Sequence, residues 1–579
     1  MKRRIIIGIG ASVVVTLALW TYTKKTQGPA SEKVLVTVSP ADIKGLDPIQ
    51  SEDAYSAKEI AKVYEGLVEY HYLKRPYELA PNLAAAMPTI SADQLVYTFK
   101  LKKGVQFHDN PCFPDGRGRE FTAQDVVYSL KRLADPKNQA QGFCVIDGKI
   151  KGLNEWREKY ADAPATDYTE DISGLQAIDR YTIQFRLTQP NPRFLHLLAM
   201  SFCYIVPQEA VEHYGAAFVN HPVGTGPFTL KAFHPQDGKI VYHKNPTFRD
   251  KRFPSEAAEE YQHMLDYAGQ KLPLVDKIVT HILTEEQPRY LQFQKGLIPV
   301  MEVSGTMLPK IMENGALIPS ISAKGIRLFQ VPRVSADCFV INNAHPVFKD
   351  KPKLRQAMSL AFDRKKYNEL FYNGTATMAQ SILPPGLAGY QASYKNPYCE
   401  YNVEKAKQYL AEAGYPNGTG LPIITIDTTS STVSKHHAEF FQQCMKDIGI
   451  QVKVVINTWP ELLKKKFQAT TMIHAMGWSG DYPDAETFLQ LFYAPGNPTG
   501  LGANFNDDKF NKIYEQAVAM PDSPARTDLY EQLNEMLGES MPVIYLLYLP
   551  YFALYQSWVK NYLWSNFHYG TEQYLDVEP

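Results

Sequence analysis

The sequence predicts a mixed α/β fold with two lobes that each contain a β-sheet. The chain has 579 residues, more than one hydrophobic core accommodates, so roughly two or three domains are expected. From about residue 33 onward, short runs with strand-like alternation are interleaved with turns and helical segments, which is typical of α/β proteins. No internal repeat and no low-complexity tract interrupts this order.

The first elements follow from two hydrophobic periodicities. Residues 34–38 alternate Val with Leu and Thr and predict a strand, and residues 95–101 alternate in the same way. Residues 57–67 are predicted as a helix because their apolar residues recur at helical spacing. The apolar face of this helix comprises Ile60, Val63, Tyr64 and Leu67.

Further helices are marked by their ends. Thr122 and Asp125 have the spacing of a capping box, with Asp in place of the usual Glu. The inward face of the helix that they open comprises Val126, Val127, Leu130 and Leu133. Helices are also predicted over residues 352–362 and 403–413, the second ended by Gly414 in a left-handed conformation.

A strand–helix–strand unit is predicted in the second half of the chain. Residues 423–427 and 452–456 are the strands, and residues 436–448 form the helix between them. Gly449 provides the turn after the helix. The unit predicts a sheet in the second lobe.

Charge and composition exclude one class of function. The net charge is −1, and the 60 Lys and Arg residues are scattered rather than clustered. Nucleic-acid binding needs a basic stripe that neutralises phosphates, so nucleic acid is not a predicted partner. Aromatic residues reach 12 %, including 36 Tyr, which suits the lining of a wet cleft, although core packing uses Tyr as well.

Residues 1–30 predict a secretory signal or a single membrane anchor. Three basic residues, Lys2, Arg3 and Arg4, precede an uncharged apolar run over residues 5–20. This charge bias places everything after the run outside the cytoplasm, in the periplasm or cell envelope. No Cys follows the run, so a lipid-anchored form is not expected. Cleavage of the segment and its retention as an anchor in the cytoplasmic membrane are both open.

Six cysteines in an exported chain allow disulfides. Cys112 and Cys144 lie in the same early region and are the expected pair. No CxxC motif and no Cys/His spacing indicates zinc, so neither a metal nor a cofactor is predicted.

The candidate binding residues lie in the run GWSGDYPD, residues 477–484. Gly and Pro on both sides predict a loop, and the run places the acid Asp481 close to the indole of Trp478. A carboxylate beside an aromatic ring is suited to bind a ligand ammonium group through a charge-assisted hydrogen bond and cation–π attraction. Acids in turns more often only cap or remain solvated, so the run alone does not establish a site.

Nine sequence phrases in a fixed order resemble extracytoplasmic solute-binding protein family five, the oligopeptide-, dipeptide- and nickel-binding proteins of ABC importers. The phrases are residues 46–48, 64–67, 97–109, 121–130, 222–228, 354–357 with 361–364, 406–415, 477–484 and 526–530. The resemblance covers roughly residues 34–565. It is carried by the order of the phrases rather than by any single one.

The resemblance implies a bilobed, periplasmic-binding-protein-like clamp of type II, cluster C, with an extra inserted domain. Lobe I is discontinuous and comprises residues 34–76, 212–330 and 541–579. The inserted domain spans residues 77–211, and lobe II spans residues 331–540. The lobes close on a solute by hinge bending.

The implied function is solute capture rather than catalysis. A monomer captures a peptide or peptide-like solute and delivers it to an ABC permease and its ATPase subunits. In peptide-binding relatives the ligand backbone pairs with protein strands. The family acid that binds the ligand α-amino group corresponds to Asp481; Trp478 forms the adjacent wall and Tyr482 lines the same region. Asp484 is interpreted as a solvated turn or cap residue.

One departure from the family keeps other ligands open. In oligopeptide-binding members a basic residue three places before the Trp receives the ligand carboxylate, and here that place is Ala475. A nickel chelate, an oligosaccharide or an opine-like solute therefore remains an alternative. His436 and His437 are adjacent in a predicted helix, so they point to different faces and do not form a metal pair.

An exported hydrolase is the alternative from a different class. The sequence has no GxSxG, HExxH or SxxK arrangement with partner motifs. No nucleophile or metal site is recognisable, which disfavours the hydrolase.

Overall fold

The computed structural model describes residues 32–50, 53–234, 237–305, 307–313, 315–495 and 501–578. These residues form a mixed α/β structure with four larger sheets, named sheets A to D in chain order. The predicted signal or anchor over residues 1–30 lies outside the described residues. Within them, no helix combines the length and the apolar character that crossing a membrane requires.

Sheet A is built from the N-terminal strand and the middle of the chain. Its strands, in spatial order, are Val34–Ser39, Lys277–Ile282, Lys239–Lys244 and Phe228–His234. The first two strands pair in parallel, whereas the other neighbours pair antiparallel. The strand predicted over residues 34–38 is confirmed.

Sheet B is antiparallel and lies between the N-terminal strand and the rest of sheet A in sequence. Its strands, in spatial order, are Thr89–Ile90, Val96–Lys100, Thr182–Arg186 and Leu175–Asp179. Helix Ala123–Ala134 packs on this sheet. The predicted capping box is confirmed, since the Thr122 backbone N–H donates to Asp125 Oδ2 at 2.8 Å.

Sheet C joins the end of the chain to its middle. Its strands, in spatial order, are Val300–Glu302, Pro550–Tyr555 and Arg327–Pro332, all antiparallel. The C-terminal segment therefore returns to the part of the chain predicted as lobe I.

Sheet D has five strands and carries the candidate site. In spatial order the strands are Val452–Asn457, Ile424–Thr429, Ile473–Ser479, Ser335–Ile341 and Val543–Tyr545. The predicted strand–helix–strand unit is confirmed, with its helix at Thr432–Lys446. The other helices of this region are Pro352–Ala361, Arg364–Tyr372, Val403–Glu412, Trp459–Phe467, Glu486–Leu489, Asp508–Ala519 and Pro524–Ser540.

The remaining elements are short. The other α-helices among the described residues are Ala54–Ile60, Leu153–Tyr160, Phe194–Leu198, Gln208–Tyr214, Glu286–Gln294, Leu308–Ile311 and Pro319–Ser322. Two-stranded pairs are formed by Val68–Tyr70 with Leu79–Pro81, Met312–Glu313 with Ala316–Leu317, Thr377–Met378 with Leu547–Tyr548, and Val559–Lys560 with Asp576–Val577.

The helix predicted over residues 57–67 is wrong in its second half. It spans Ala54–Ile60, and the chain then turns into strand Val68–Tyr70. The Val63 carbonyl accepts a hydrogen bond from the Gly226 N–H at 2.9 Å. A Cβ atom at Gly224 would lie 2.1 Å from the same carbonyl oxygen. The close approach of these glycines directs the Val63 backbone to a tertiary partner instead of a further helical turn.

The division of the chain into two lobes and an inserted domain stays a prediction. The strands of sheets A and C fall within the segments predicted as lobe I, except that Arg327–Pro332 crosses the predicted bound at residue 330, and sheet B falls within the predicted inserted domain. Sheet D falls within predicted lobe II, except that strand Val543–Tyr545 from the C-terminal segment also pairs with it.

Candidate functional site

Asp481 lies two residues beyond the end of strand Ile473–Ser479 and is held by one threonine. The Asp481 backbone N–H donates to Thr487 Oγ1 at 3.1 Å, and the Thr487 hydroxyl donates to Asp481 Oδ2 at 3.1 Å. Thr487 is fully buried in the short helix Glu486–Leu489. The loop between strand and helix therefore fixes both the backbone and the carboxylate of the candidate acid.

The Asp481 carboxylate touches water although protein surrounds much of it. Its side chain is exposed, and in the part of the chain that the structure describes no Lys or Arg forms an ion pair with it. The pKa of Asp481 is raised to about 6, mainly because the carboxylate is partly removed from bulk water. The Thr487 hydrogen bond opposes this shift, and the charge of Glu486 adds to it. A carboxylate on the wall of a cleft has these properties.

Groups from distant parts of the chain face Asp481. Burial is the main reason that the pKa values of Tyr70 and Tyr569 are raised, and the negative charge of Asp481 adds to both shifts. The charge of Asp481 also contributes to the raised pKa of Cys144. Tyr70 and Tyr569 belong to segments predicted as lobe I, and Cys144 belongs to the predicted inserted domain. The charge of Asp481 therefore acts on groups from segments predicted as lobe I and as the inserted domain.

Trp478 is partly buried in the same strand, opposite Ala336. Its indole Nε1–H is buried and donates to no acceptor among the described residues. A buried donor without an acceptor is costly. Trp478 thus presents a ring and an unused donor near the candidate acid.

Tyr482 lies in the wall between two parts of the chain. It is buried, its hydroxyl donates to Glu486 Oε2, and its ring stacks on His196 with centroids 6.2 Å apart. His196 Nδ1 is in turn 3.1 Å from the Tyr70 hydroxyl oxygen. The structure places Tyr482 next to Asp481, and its predicted contact with a ligand stays a prediction.

The interpretation of Asp484 as a solvated residue is wrong. Asp484 is buried, and its Oδ2 accepts from Arg526 Nη2 at 2.6 Å while its Oδ1 accepts from the Tyr530 hydroxyl at 3.0 Å. Burial alone would raise the pKa of Asp484, but the charges of Arg526 and Arg193 outweigh it and lower the pKa. Its capping role is real, because Oδ1 also accepts from the Glu486 N–H at 2.9 Å.

A cleft of about 460 Å³ is lined by segments of both predicted lobes, and Asp481, Trp478 and Tyr482 are not among its lining residues. Tyr569 lines it, and the charge of Asp481 contributes to the raised pKa of Tyr569. Three cationic side chains line it as well: Lys58, Arg289 and Arg333. Glu302 forms an ion pair with Arg333, whereas Arg289 donates to the backbone carbonyls of residues 283 and 284.

The expected disulfide between Cys112 and Cys144 is absent. All six cysteines lie in the described residues and are free thiols. The two side chains have different surroundings: Cys112 is influenced by Glu209 and Arg119, whereas Cys144 is influenced by Lys149 and Asp481. Proximity in sequence therefore did not place them side by side.

The described residues contain no group of three or more His, Cys, Asp or Glu side chains arranged to hold a metal ion. His437 packs among aromatic rings, with centroids 4.5 Å from Phe371 and 5.1 Å from Tyr367. Burial lowers the pKa of His437 to about 4, and the adjacent His436 contributes to this shift.

Three residues of this region were missed by reasoning from the sequence. Thr487 and Arg333 carry no local signal, since their roles depend on folding. Asp337 carries one, because it is a single acid in the otherwise largely apolar strand Ser335–Ile341.

Comparison with known proteins identifies relatives of this chain. The sequence profile of the bacterial extracellular solute-binding proteins, family 5 Middle, matches residues 78–500. The heme-binding protein A of Haemophilus influenzae is 28 % identical over 525 residues, covering 89 % of this chain and 87 % of that protein. The dipeptide-binding protein of Escherichia coli is 27 % identical over 570 residues, covering 96 % and 97 %.

The solved structures extend the likeness to three dimensions. The ABC transporter-associated periplasmic binding protein DppA from Helicobacter pylori, in complex with the peptide STSA, superposes with a TM-score of 0.72 at 27 % identity. The match covers 95 % of this chain and 99 % of that protein. Fold and cleft together define a bilobed solute-binding protein of the clamp type. The chain belongs to the bacterial extracellular solute-binding proteins, family 5.

Proposed function

We propose that this protein captures a peptide or peptide-like solute between its lobes, outside the cytoplasm, and delivers it to an ABC permease with its ATPase subunits. Asp481 binds the α-amino group of the solute, and Trp478 and Tyr482 form the adjacent wall. The protein acts as a monomer and performs no catalysis. Family membership favours this binding role over the exported hydrolase.

The observation that carries the proposal is the state of the Asp481 carboxylate. It is fixed by Thr487, it touches water, and no cationic side chain among the described residues neutralises it. An ammonium group of a solute supplies the missing charge and donates directly to the carboxylate. Tyr70 and Tyr569, from other parts of the chain, lie close enough for the charge of Asp481 to contribute to their raised pKa values.

The far part of the cleft provides groups for the other end of a solute. Arg289 and Lys58 line it and form no ion pair within the described residues. Either cation can bind the carboxylate that Ala475 leaves without a nearby receptor. Tyr551 and Trp564 provide apolar surface in the same cleft and stack on Arg333 at 5.2 and 5.8 Å.

The names of similar proteins support peptide as the first ligand class to test. One relative is named for dipeptides, and the H. pylori protein was solved with a bound peptide. Other relatives are named for heme and glutathione, so a non-peptide solute is the competing outcome. The periplasmic designation of the H. pylori protein agrees with the export predicted from residues 1–30.

The test is mass spectrometry of the solute that copurifies with the exported part of the protein. Native spectra give the mass of the complex, and denaturation releases the bound molecules for identification. The proposal predicts a family of masses that fit short peptides with free amino termini. A single mass that fits no peptide contradicts it. An empty protein is then titrated by calorimetry with peptides of two to five residues, and failure of all of them to bind also contradicts it.

A further inference from the structure

Asp337 is an acid in the middle of sheet D, on the strand next to the one that leads to Asp481. In the antiparallel register Asp337 lies directly opposite Gly477. A Cβ atom built on Gly477 would be 2.4 Å from Asp337 Oδ1, so the carboxylate occupies the space above this glycine. Gly477 is exposed and Asp337 is partly buried. The carboxylate therefore lies beside the exposed Gly477.

The Asp337 carboxylate accepts no hydrogen bond within the part of the chain that the structure describes. Among the described residues no N–H, O–H or ammonium group donates to it, whereas its backbone carbonyl accepts from the Leu546 N–H at 2.9 Å. The charged group that influences it is Arg333, and this guanidinium is already paired with Glu302. Burying a carboxylate without a hydrogen bond or a counter-charge destabilises the folded protein. Such groups are typical of functional sites, where a bound ligand provides the missing partner.

Two tyrosines lie close enough to Asp337 for its charge to influence them. The charge of Asp337 contributes, after burial, to the raised pKa values of Tyr367 and Tyr372, so both phenols lie near it. Tyr372 also lines the cleft between the lobes. His437 packs on both tyrosines, and burial keeps its pKa at about 4, so it provides no positive charge at neutral pH. A carboxylate beside aromatic rings favours an organic cation.

The position of Asp337 relative to Asp481 sets the size of the solute that reaches both. Gly477 and Asp481 are four residues apart, which an extended chain spans in at most about 13 Å. In an extended peptide each residue adds about 3.3 Å. If the amino group of the peptide is bound at Asp481, the side chain of one of its first three residues can therefore reach Asp337.

We propose that Asp337 binds a second cationic group of the solute, the side-chain ammonium or guanidinium of a basic residue near the amino terminus of a peptide. This inference rests on the proposed peptide-binding function and narrows it to a preference among peptides. Asp481 provides the site for the α-amino group that all peptides share. Asp337 provides selectivity for the basic ones.

The test compares lysine with norleucine, which has a side chain of similar length without the charge. Calorimetry measures the affinity of tetra-alanine and of tetra-alanine carrying either residue at position 1, 2 or 3. The proteins are the wild type, Asp337→Asn and, as a matched control, Asp528→Asn, which changes an exposed acid of helix Pro524–Ser540. Thermal unfolding of each ligand-free variant verifies that it is folded.

The expected result is at least a tenfold preference for lysine over norleucine at one position, in the range of one charge-assisted hydrogen bond. Asp337→Asn abolishes this preference and leaves the affinity for the norleucine peptides within about twofold, whereas Asp528→Asn retains the preference. If the wild type binds the lysine and norleucine peptides equally, the inference about Asp337 is overturned. Binding of tetra-alanine in the same experiment still supports the proposed peptide-binding function. A lysine preference that survives in Asp337→Asn overturns it too. If no peptide of the series binds, the proposed function fails and the inference fails with it.

Discussion

Arg193 and Asp484 connect two parts of the chain that are 291 residues apart in sequence. Arg193 Nη1 lies 3.9 Å from Asp484 Oδ2, and Arg193 Nη2 donates to the backbone carbonyl of Val518. Both side chains are buried. Arg193 belongs to the predicted inserted domain and Asp484 to predicted lobe II, so we expect this contact to break when the clamp opens to release its solute.

Replacing Arg193 is expected to speed release of the solute. Arg193→Met keeps much of the aliphatic stem and removes the positive charge beside Asp484 and the donor to the Val518 carbonyl. Truncating one partner of a buried charge pair acts mainly on dissociation, so the dissociation rate should rise by about threefold to tenfold with little change in the association rate. Stopped-flow fluorescence measures both rates. Arg186→Met, at an exposed position of the same predicted domain, is the control and should release at the wild-type rate. Equal release from both variants would contradict a closing role for Arg193.

Asp484 is expected to matter for stability because Arg526 is buried beside it. Asp484→Asn leaves the Arg526 guanidinium without its buried counter-charge and should lower the free energy of unfolding by about 3 kcal/mol. Asp522→Asn removes the exposed acid that contacts the same arginine and should cost less than about 1 kcal/mol. Urea denaturation at pH 7 measures both. Because the pKa of Asp484 is lowered in the folded protein, its contribution is present at neutral pH and is lost as the pH falls through that lowered value. Equal losses in the two variants would refute this explanation.

The affinity for peptides is expected to fall on acidification. The Asp481 pKa of about 6 means that the carboxylate is largely protonated at pH 5 and no longer attracts an ammonium group. For a peptide with uncharged side chains, affinity should therefore drop about tenfold from pH 7 to pH 5. Calorimetry at both pH values measures it, with circular dichroism to verify folding. In Asp481→Asn the affinity should no longer fall between pH 7 and pH 5. If the wild type binds with the same affinity at both pH values, the amine is not bound at Asp481.

Gly224 is expected to tolerate no side chain. The Cβ of an alanine would lie 2.1 Å from the Val63 carbonyl oxygen, a backbone atom that cannot move aside alone. Gly224→Ala should lower the free energy of unfolding by about 1–3 kcal/mol or more, as overpacking does. Thr225→Val is the comparison, because it removes only the hydroxyl that donates to Glu65 Oε2 at 3.0 Å and should cost about 1 kcal/mol. If Gly224→Ala proves the milder of the two in urea denaturation, the close approach to Val63 is not what requires glycine.

Short sequence patterns correctly predicted the secondary-structure elements that depend on contacts between residues close in sequence. The alternation over residues 34–38 and the capping box at Thr122 and Asp125 required no knowledge of distant contacts, and both are confirmed. The second half of the helix predicted over residues 57–67 failed because Gly226, far along the chain, bonds to the Val63 carbonyl. Helical spacing of apolar residues does not reveal such a partner.

Candidate-site residues that lie within one sequence motif could be predicted from the sequence. Contacts between residues that are distant in the sequence could not. Asp481 follows from the acid beside Trp478 in a loop. Asp484 looked like a turn residue, and its burial depends on Arg526 and Arg193, which no local pattern connects to it. Asp337 faces Gly477 only because two strands 140 residues apart pair in one register.

The central claim is that Asp481 binds the amino group of a peptide. The most direct test is calorimetry of the wild type, Asp481→Asn and the control Asp528→Asn, each with tri-alanine and with N-acetyl-tri-alanine. We expect the wild type to prefer the free amine by about tenfold or more, since a hydrogen bond to a charged group is at stake. Asp481→Asn should lose that preference, and Asp528→Asn should keep it. Equal wild-type affinity for the two peptides would contradict the claim.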